Sequence, residues 1–176
     1  MKTDIILAGV GGQGILSIAT VIGQAALKED LYIKQAEVHG MSQRGGDVQS
    51  NLRLSDKPIN SDLIALGQAD IIIAMEPMEA LRYRHYLSPE GWIIPTSNAF
   101  VNIGNYPDQQ AVLAELPVER IFLETDLGED FEGDPAGQLE KLYSFVANLK
   151  GVSRSTLNNI INCNYNNYLG ESGNYV

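Results

Sequence analysis

Several apolar runs along the chain have the length and composition of β-strands. Residues 4–8 and 69–75 are almost continuously apolar, a pattern typical of strands that are buried on both faces. Weaker runs predict strands over residues 31–38 and 92–95. Residues 47–54 alternate between two faces instead, which indicates either the margin of a sheet or an antiparallel pairing.

Between these runs, apolar residues recur at helical spacing. They predict an amphipathic helix that follows the first strand and ends at about Lys28. Pro77 begins a second predicted helix, ending at about Leu87, because the first helical position needs no amide hydrogen. A third predicted helix covers about 136–149. The alternation of strands and helices predicts the α/β class, as a three-layer Rossmann-like sandwich with a mostly parallel sheet.

The pattern weakens towards the end of the chain. Residues 118–123 are predicted to form a final strand. Past Gly151 we expect a short helix from about Ser153 and then a weakly packed tail, since residues 158–176 contain seven asparagines. A length of 176 residues fits one domain of about 100 to 200 residues, so we expect residues 1–176 to form a single domain.

Two glycine-rich segments follow predicted strands and therefore should emerge at one edge of the sheet. Open α/β folds place their ligand crevice at the carboxyl ends of their strands, so the two segments predict one composite site. The candidate ligand- or interface-binding residues are Gly9, Gly11, Gly12, Gln13, Gly14, Glu37, His39, Gly40, Ser42, Gln43, Arg44, Gly45 and Gly46. Neither segment has a serine or cysteine beside an obvious base, so no catalytic residue is predicted.

The first segment has the spacing of a phosphate-binding turn. Gly9, Gly11 and Gly14 match G-x-G-x-x-G, in which glycines allow a tight turn and close approach of an anion to a helix end. Glu37 lies 23 residues after Gly14, about where a dinucleotide-binding fold has its ribose partner. The alternative is that the small residues only allow strand and helix to pack closely.

The second segment brings together a hydroxyl, an amide and a guanidinium. Arg44 suits a phosphate or carboxylate because its planar group can donate two parallel hydrogen bonds, and Gly45 and Gly46 allow unusual backbone angles. His39 is a candidate general acid or base. In the alternative interpretation, Arg44 pairs with the acidic surface of the chain and His39 is a hydrogen-bonded loop residue.

Charge and cysteine content exclude several classes of function. The net charge of −10 repels the phosphate backbone, so no nucleic-acid partner is expected. No apolar run approaches the roughly 18 residues of a membrane span, and the chain begins with a predicted strand, so we expect no membrane association and a cytoplasmic location. Cys163 is the only cysteine, whereas an iron–sulfur cluster needs about four thiolates. A structural zinc site is likewise disfavoured.

Two other groups of residues are interpreted as structural. Tyr83, His85 and Tyr86 are predicted to form a packed, partly solvated surface of the second helix. The acidic run over residues 124–134 does not have the spacing of a calcium loop and is predicted to be a solvated loop.

Four motifs together resemble the gamma subunit, or gamma domain, of 2-oxoacid:ferredoxin oxidoreductases, with the small (beta) subunit of the indolepyruvate type the nearest fit. They are GVGGQG at 9–14, EVHGMSQRGG at 37–46, ADIIIAMEPMEALR at 69–82 and the following LSPEGWIIP. The resemblance covers about residues 3–97 and weakens after that.

The resemblance implies an activity that needs other subunits. Such enzymes oxidatively decarboxylate a 2-oxoacid with coenzyme A (CoA), giving an acyl-CoA, carbon dioxide and reduced ferredoxin. By the same resemblance, thiamine diphosphate, magnesium and iron–sulfur clusters are expected on a larger partner, and none on this chain alone. We therefore expect a hetero-oligomer that meets ferredoxin through the complex, with this chain inactive alone. Two alternatives remain, an NAD(P)-binding Rossmann domain and a noncatalytic assembly module.

Overall fold

In the computed structural model of this chain, the described residues are 1–40, 46–96, 99–100, 106–123 and 132–169. The chain divides into two compact units, Met1–Val112 and Leu113–Val176. The first contains the whole sheet, and the second is helical in its described part. The expectation of a single domain over residues 1–176 stays a prediction.

Five strands form one mixed sheet in the order β2-β3-β1-β4-β5. The strands are β1 Lys2–Val10, β2 Tyr32–His39, β3 Asp47–Ser55, β4 Ala69–Ala74 and β5 Leu87–Pro95. β1, β4 and β5 are parallel, whereas β3 is antiparallel to both of its neighbours, β1 and β2. Four of the five strands therefore point the same way, and the predicted α/β class with a mostly parallel sheet is confirmed. The alternation over residues 47–54 correctly indicated an antiparallel strand.

The helix α1, Ile15–Lys28, covers one face of this sheet. Its buried residues meet alternate apolar side chains of three strands, because successive side chains of a strand point to opposite faces. The core formed in this way consists of Ile5, Leu7, Ile15, Ala19, Ala26, Leu52, Leu54 and Ile71. The continuous apolar runs in β1 and β4 have a second buried set, which includes Ile6 and Ile72.

The helix α2, Pro77–Tyr83, follows β4 and is shorter than predicted. A 3₁₀ turn over Arg84–Tyr86 ends it, and β5 starts at Leu87, before the predicted residue 92. A register shift between Ala69 and Ile71 accommodates this longer strand. α2 packs against β4, β5 and β1.

The second unit corrects two predictions. Residues 118–123 do not form a strand: Val118–Arg120 is a 3₁₀ turn. The reason lies in the carbonyls of Val118 and Ile121, which accept hydrogen bonds of 2.9 Å each from the side-chain amide of Asn164 rather than from a neighbouring strand.

The predicted weakly packed tail is also wrong as far as residue 169. Two helices, α4 Pro135–Lys150 and α5 Arg154–Leu169, pack against each other in this unit. A short helix, α3 Gln109–Ala114, begins in the first unit and ends in the second. Along α5, Leu157, Ile161 and Asn164 recur at helical spacing and are buried. The other asparagines of this helix are exposed, which is why the apolar stripe is so narrow in the sequence.

A half-buried lysine closes the end of α3. The ammonium of Lys150 donates hydrogen bonds to the carbonyls of Leu113 and Ala114, at 2.9 and 2.7 Å, and also to that of Leu116. These carbonyls lie at a helix end, where no intrahelical donors are available. Burial lowers the pKa of Lys150, although nearby Glu119 and Glu115 act in the opposite direction.

Candidate functional site

The two glycine segments meet at the carboxyl edge of the sheet. Val48 of β3 pairs with Gly9 of β1 on one side and with His39 of β2 on the other, so the ends of β1 and β2 are aligned. Beyond the strands, the N–H of Gly11 donates to the carbonyl of Gly46 at 2.9 Å. The N–H of Gly40 donates to the carbonyl of Asp47 at 3.2 Å. We call this set of contacts, formed by Gly11, Gly40, Gly46 and Asp47, the glycine junction.

The first segment forms a tight turn that depends on two of its glycines. Gly12 and Gly14 have φ angles of 103° and 77°, in the region that disfavours other residues. Gly9 has a different role, because a Cβ there would lie 2.8 Å from both Gln13 Oε1 and Ile15 Cδ1. For Gly9 the structure therefore supports close packing of strand and helix, the alternative interpretation of the motif.

Gln13 is engaged within the protein. Its Oε1 accepts the N–H of Val10 at 2.9 Å, and its amide nitrogen donates to the carbonyl of Met75, just past the end of β4. The side chain thus joins the ends of two parallel strands. The amides of Val10, Gly11 and Gln13 all donate to protein acceptors, so an anion in this turn has to be bound by other groups.

At the end of β2, Glu37 and His39 are exposed. Glu37 Oε1 accepts a hydrogen bond of 2.8 Å from Gln35 Nε2. His39 Nδ1 lies 3.2 Å from the carbonyl oxygen of Gly40, a hydrogen bond when that nitrogen carries the proton. The predicted site residues Ser42, Gln43, Arg44 and Gly45 lie outside the described residues.

Sheet topology argues against the dinucleotide alternative. In that fold the strand carrying the ribose partner lies directly beside the first strand, about 5 Å away. Here β3 is inserted between β1 and β2, so Glu37 belongs to a strand two positions from β1, about 10 Å away. The spacing of Glu37 in the sequence matched the motif, but its place in the sheet does not.

Two buried acidic residues follow β4 at the same edge. Glu76 is almost inaccessible and accepts the N–H of Phe100 at 2.8 Å and the hydroxyl of Tyr106. Its carboxylate therefore ties the turn after β4 to a later part of the first unit. Burial, followed by the bond to Glu76, raises the pKa of Tyr106.

Glu79, one turn further along α2, lies beside Asp47 and is only 4% exposed. Burial, with a smaller contribution from Asp47, raises the pKa of Glu79 from 4.5 to about 7. Arg82 Nε lies 2.8 Å from Glu79 Oε2, an ion-pair distance, but the alignment is not that of a hydrogen bond. Because Arg82 is more than half exposed, water screens this pair, and it only partly opposes the effect of burial.

Tyr83 connects the same helix to β3. Its buried hydroxyl donates to the carboxylate of Asp47, with oxygen–oxygen distances of 2.8 and 2.9 Å. Burial, and then this bond, raise the pKa of Tyr83. The prediction that Tyr83 forms part of a packed aromatic surface missed this hydrogen bond.

Sequence reasoning did not identify Asp47, Glu76 or Glu79 as residues of this edge. One signal was present: Glu79 and Tyr83 are four residues apart, so they lie on one face of a helix that follows a buried strand. Buried carboxyl and hydroxyl groups need hydrogen-bond partners, so the positions of Glu79 and Tyr83 on a buried helix face indicated a polar contact with another element.

Among the described residues, no group of three or more histidine, cysteine, aspartate or glutamate side chains is arranged to hold a metal ion. In the same part of the chain, every helix is too short or too polar to cross a bilayer.

Sheet order and the junction at its carboxyl edge define an α/β domain of the Rossmann-like type. Within this class, the model of the pyruvate ferredoxin/flavodoxin oxidoreductase family matches residues 4–166, and the chain belongs to that family.

Its relatives include indolepyruvate oxidoreductase subunit IorB of Archaeoglobus fulgidus, which is 37% identical over 122 residues, or 66% of this chain and 60% of the relative. The subunit of the same name from Pyrococcus horikoshii is 39% identical over 115 residues, covering 62% of this chain and 56% of the relative. The 2-oxoglutarate synthase subunit KorC of Methanocaldococcus jannaschii is 28% identical over 125 residues, covering 70% and 65%. The chain thus spans about 60% of the length of the first of these relatives.

A solved structure shares the fold. The 2-oxoglutarate:ferredoxin oxidoreductase from Magnetococcus marinus, with 2-oxoglutarate, coenzyme A and succinyl-CoA bound, aligns with a TM-score of 0.50. The alignment covers 98% of this chain and 32% of that one at 13% identity, a similarity of fold alone.

Proposed function

We propose that this chain is a site-completing subunit of a thiamine-dependent 2-oxoacid:ferredoxin oxidoreductase acting in the cytoplasm. An arylpyruvate such as indolepyruvate is the proposed oxoacid, since several relatives are indolepyruvate oxidoreductase subunits. The reaction converts the oxoacid and CoA to an acyl-CoA and carbon dioxide, and the electrons pass to ferredoxin. The observation that carries the proposal is the glycine junction, because it joins both motifs into one surface.

The proposed ligand of this surface is an anion contributed by the CoA or the oxoacid. CoA carries phosphates and the oxoacid carries a carboxylate, and Arg44 of the second segment suits either because its guanidinium can bind them through two hydrogen bonds. Ser42 and Gln43 add a hydroxyl and an amide. In the first segment Gly12 and Gly14 carry no side chain, and no atom lies within 4 Å of the place that a Cβ would occupy.

The redox and decarboxylating groups are proposed to reside on a larger partner. The single cysteine of the sequence cannot supply the roughly four thiolates of a cluster. When bound to the partner, thiamine diphosphate supplies carbanion stabilisation, and magnesium holds its diphosphate. This chain contributes shape and hydrogen bonds to the site, and the complex rather than this subunit reduces ferredoxin.

Reconstitution tests this proposal. The chain and a thiamine- and cluster-bearing partner are purified separately, and 2-oxoacid-dependent reduction of ferredoxin is measured for each alone and for the mixture. We expect neither component alone to reduce ferredoxin at the rate of the mixture, and the isolated chain to be colourless. Activity of the isolated chain would contradict the proposal, as would a partner that gains nothing when the chain is added.

A further inference from the structure

Asp47 occupies the point at which the two glycine segments are bonded together. The carbonyl of Gly46 and the N–H of Asp47 belong to one planar peptide group, so fixing one fixes the other. That carbonyl accepts the N–H of Gly11, and the carbonyl of Asp47 itself accepts the N–H of Gly40. The peptide groups on both sides of Asp47 therefore connect the first segment to the second.

The side chain of Asp47 lies on the face of the sheet opposite to α1. Alternation along β3 puts Val48, Leu52 and Leu54 on the α1 face, so Asp47 points the other way, where Tyr83 of α2 donates to its carboxylate. Tyr83 is 7% exposed, and hydrogen bonds to a charged acceptor are among the stronger ones in proteins. The aspartate side chain thus has a defined position that α2 determines.

We propose that Tyr83 is a positioning residue of the glycine junction, which it sets by holding the Asp47 carboxylate and, through the Asp47 peptide group, the Gly46 carbonyl. The inference deepens the proposed function and rests on it only for the consequence in the assembled enzyme. The geometry of the junction itself is a property of this chain.

The charged groups around Glu79 make the tightness of the glycine junction depend on pH. Asp47 faces Glu79 from β3, and Arg82 and Tyr83 lie near Glu79 on α2. Tyr106 also interacts electrostatically with Glu79. When Glu79 is protonated, it adds no second negative charge beside the Asp47 carboxylate. When it is ionised, two negative charges share a poorly hydrated space and repel. With the pKa of Glu79 raised to about 7, the junction is tighter below that pH and looser above it.

Nuclear magnetic resonance of the full chain tests the inference at the Gly11 amide, the donor of the junction. In Tyr83→Phe the ring and its packing remain, but the bond to Asp47 is lost, so we expect hydrogen exchange of this amide to accelerate about tenfold. Tyr86→Phe is the matched control, because the Tyr86 ring centroid lies 6.1 Å from that of Tyr83. Its effect should be less than about twofold.

A pH titration separates positioning from ordinary stabilisation. In the unsubstituted chain, the chemical shift of the Gly11 amide should titrate with a midpoint near 7, and Glu79→Gln should abolish that step. Unchanged Gly11 exchange in Tyr83→Phe would overturn the inference, and a titration that persists in Glu79→Gln would overturn its dependence on pH.

The reconstituted enzyme then distinguishes the inference from the function on which it draws. Here Tyr83→Phe is expected to raise the KM for CoA or the oxoacid several-fold, with a smaller change in kcat. If Gly11 responds as expected while both KM values stay unchanged, the positioning role holds and the proposed binding role of the junction is wrong.

Discussion

Glu79 is a buried carboxyl group whose pKa lies well above its usual value. A carboxyl group whose pKa is raised in the folded state binds protons that the unfolded chain has already lost. As the pH rises from 4.5 to about 7, the folded protein therefore loses stability relative to a variant without this group. Below that window both states are protonated, and no difference arises.

We predict the size of this effect from Glu79→Gln. The free energy of unfolding of the variant, minus that of the unsubstituted chain, should rise by up to about 3 kcal/mol across this pH window, since one pKa unit corresponds to about 1.4 kcal/mol. Urea denaturation at a series of pH values measures it. Glu90→Gln, at an exposed position of β5, is the control and should give a nearly constant difference. A flat profile for Glu79→Gln would show that folding does not raise the pKa of Glu79.

Tyr83 and Asp47 illustrate the limit of sequence reasoning at the residue scale. Glycine spacing identified both segments, because tight turns require particular residue types. The Tyr83–Asp47 hydrogen bond spans 36 residues, and no local period encodes it. It follows only once α2 and β3 are assembled on the same sheet.

At the scale of elements, α5 shows how one polar side chain can organise a helical unit. Asn164 is 3% exposed, and its amide donates to both Val118 and Ile121. Composition alone predicted a loose tail, because the asparagines obscured a buried stripe of one leucine, one isoleucine and one asparagine. The helical spacing of this stripe could be predicted from the sequence, but the role of Asn164 as a buried hydrogen-bond donor could not.

The asparagine-rich sequence of α5 supplies a matched pair of substitutions. Asn164→Ala leaves one part-buried and one buried carbonyl without their donor and should lower the free energy of unfolding by about 2 to 3 kcal/mol. Asn166→Ala, at an exposed position of the same helix, should be neutral or slightly stabilising, because alanine is the better helix former. Thermal and urea denaturation compare the two. Equal effects would mean that the contact with residues 118–121 contributes nothing to stability.

At the scale of the whole molecule, strand direction was predictable and strand order was not. Two segments that each follow a strand of the same direction must emerge at one edge, and Gly9 and His39 do so on either side of Val48. The insertion of β3 between β1 and β2 depends on the antiparallel pairing of β3 with both strands, which hydrophobic periodicity does not record. That insertion is what separates Glu37 from β1.

The proposed role of the glycine segments is to form a site that functions in the assembled oxidoreductase. Two glycines offer a matched test: Gly12 in the first segment, with φ 103°, and Gly67, with φ 71°, which precedes β4 at the opposite edge of the sheet. At both glycines the position that a Cβ would occupy has no atom within 4 Å, so alanine strains the backbone at each without a steric clash.

The most direct measurement is the 2-oxoacid-dependent rate of ferredoxin reduction by complexes assembled with Gly12→Ala or Gly67→Ala, alongside gel filtration to confirm assembly. We predict that both variants assemble, that Gly12→Ala lowers kcat/KM about tenfold or more, and that Gly67→Ala changes it less than about twofold. Equal kcat/KM values for the two assembled complexes would contradict this role of the glycine segments. Loss of assembly in Gly12→Ala alone would instead identify the segment as a docking surface for protein.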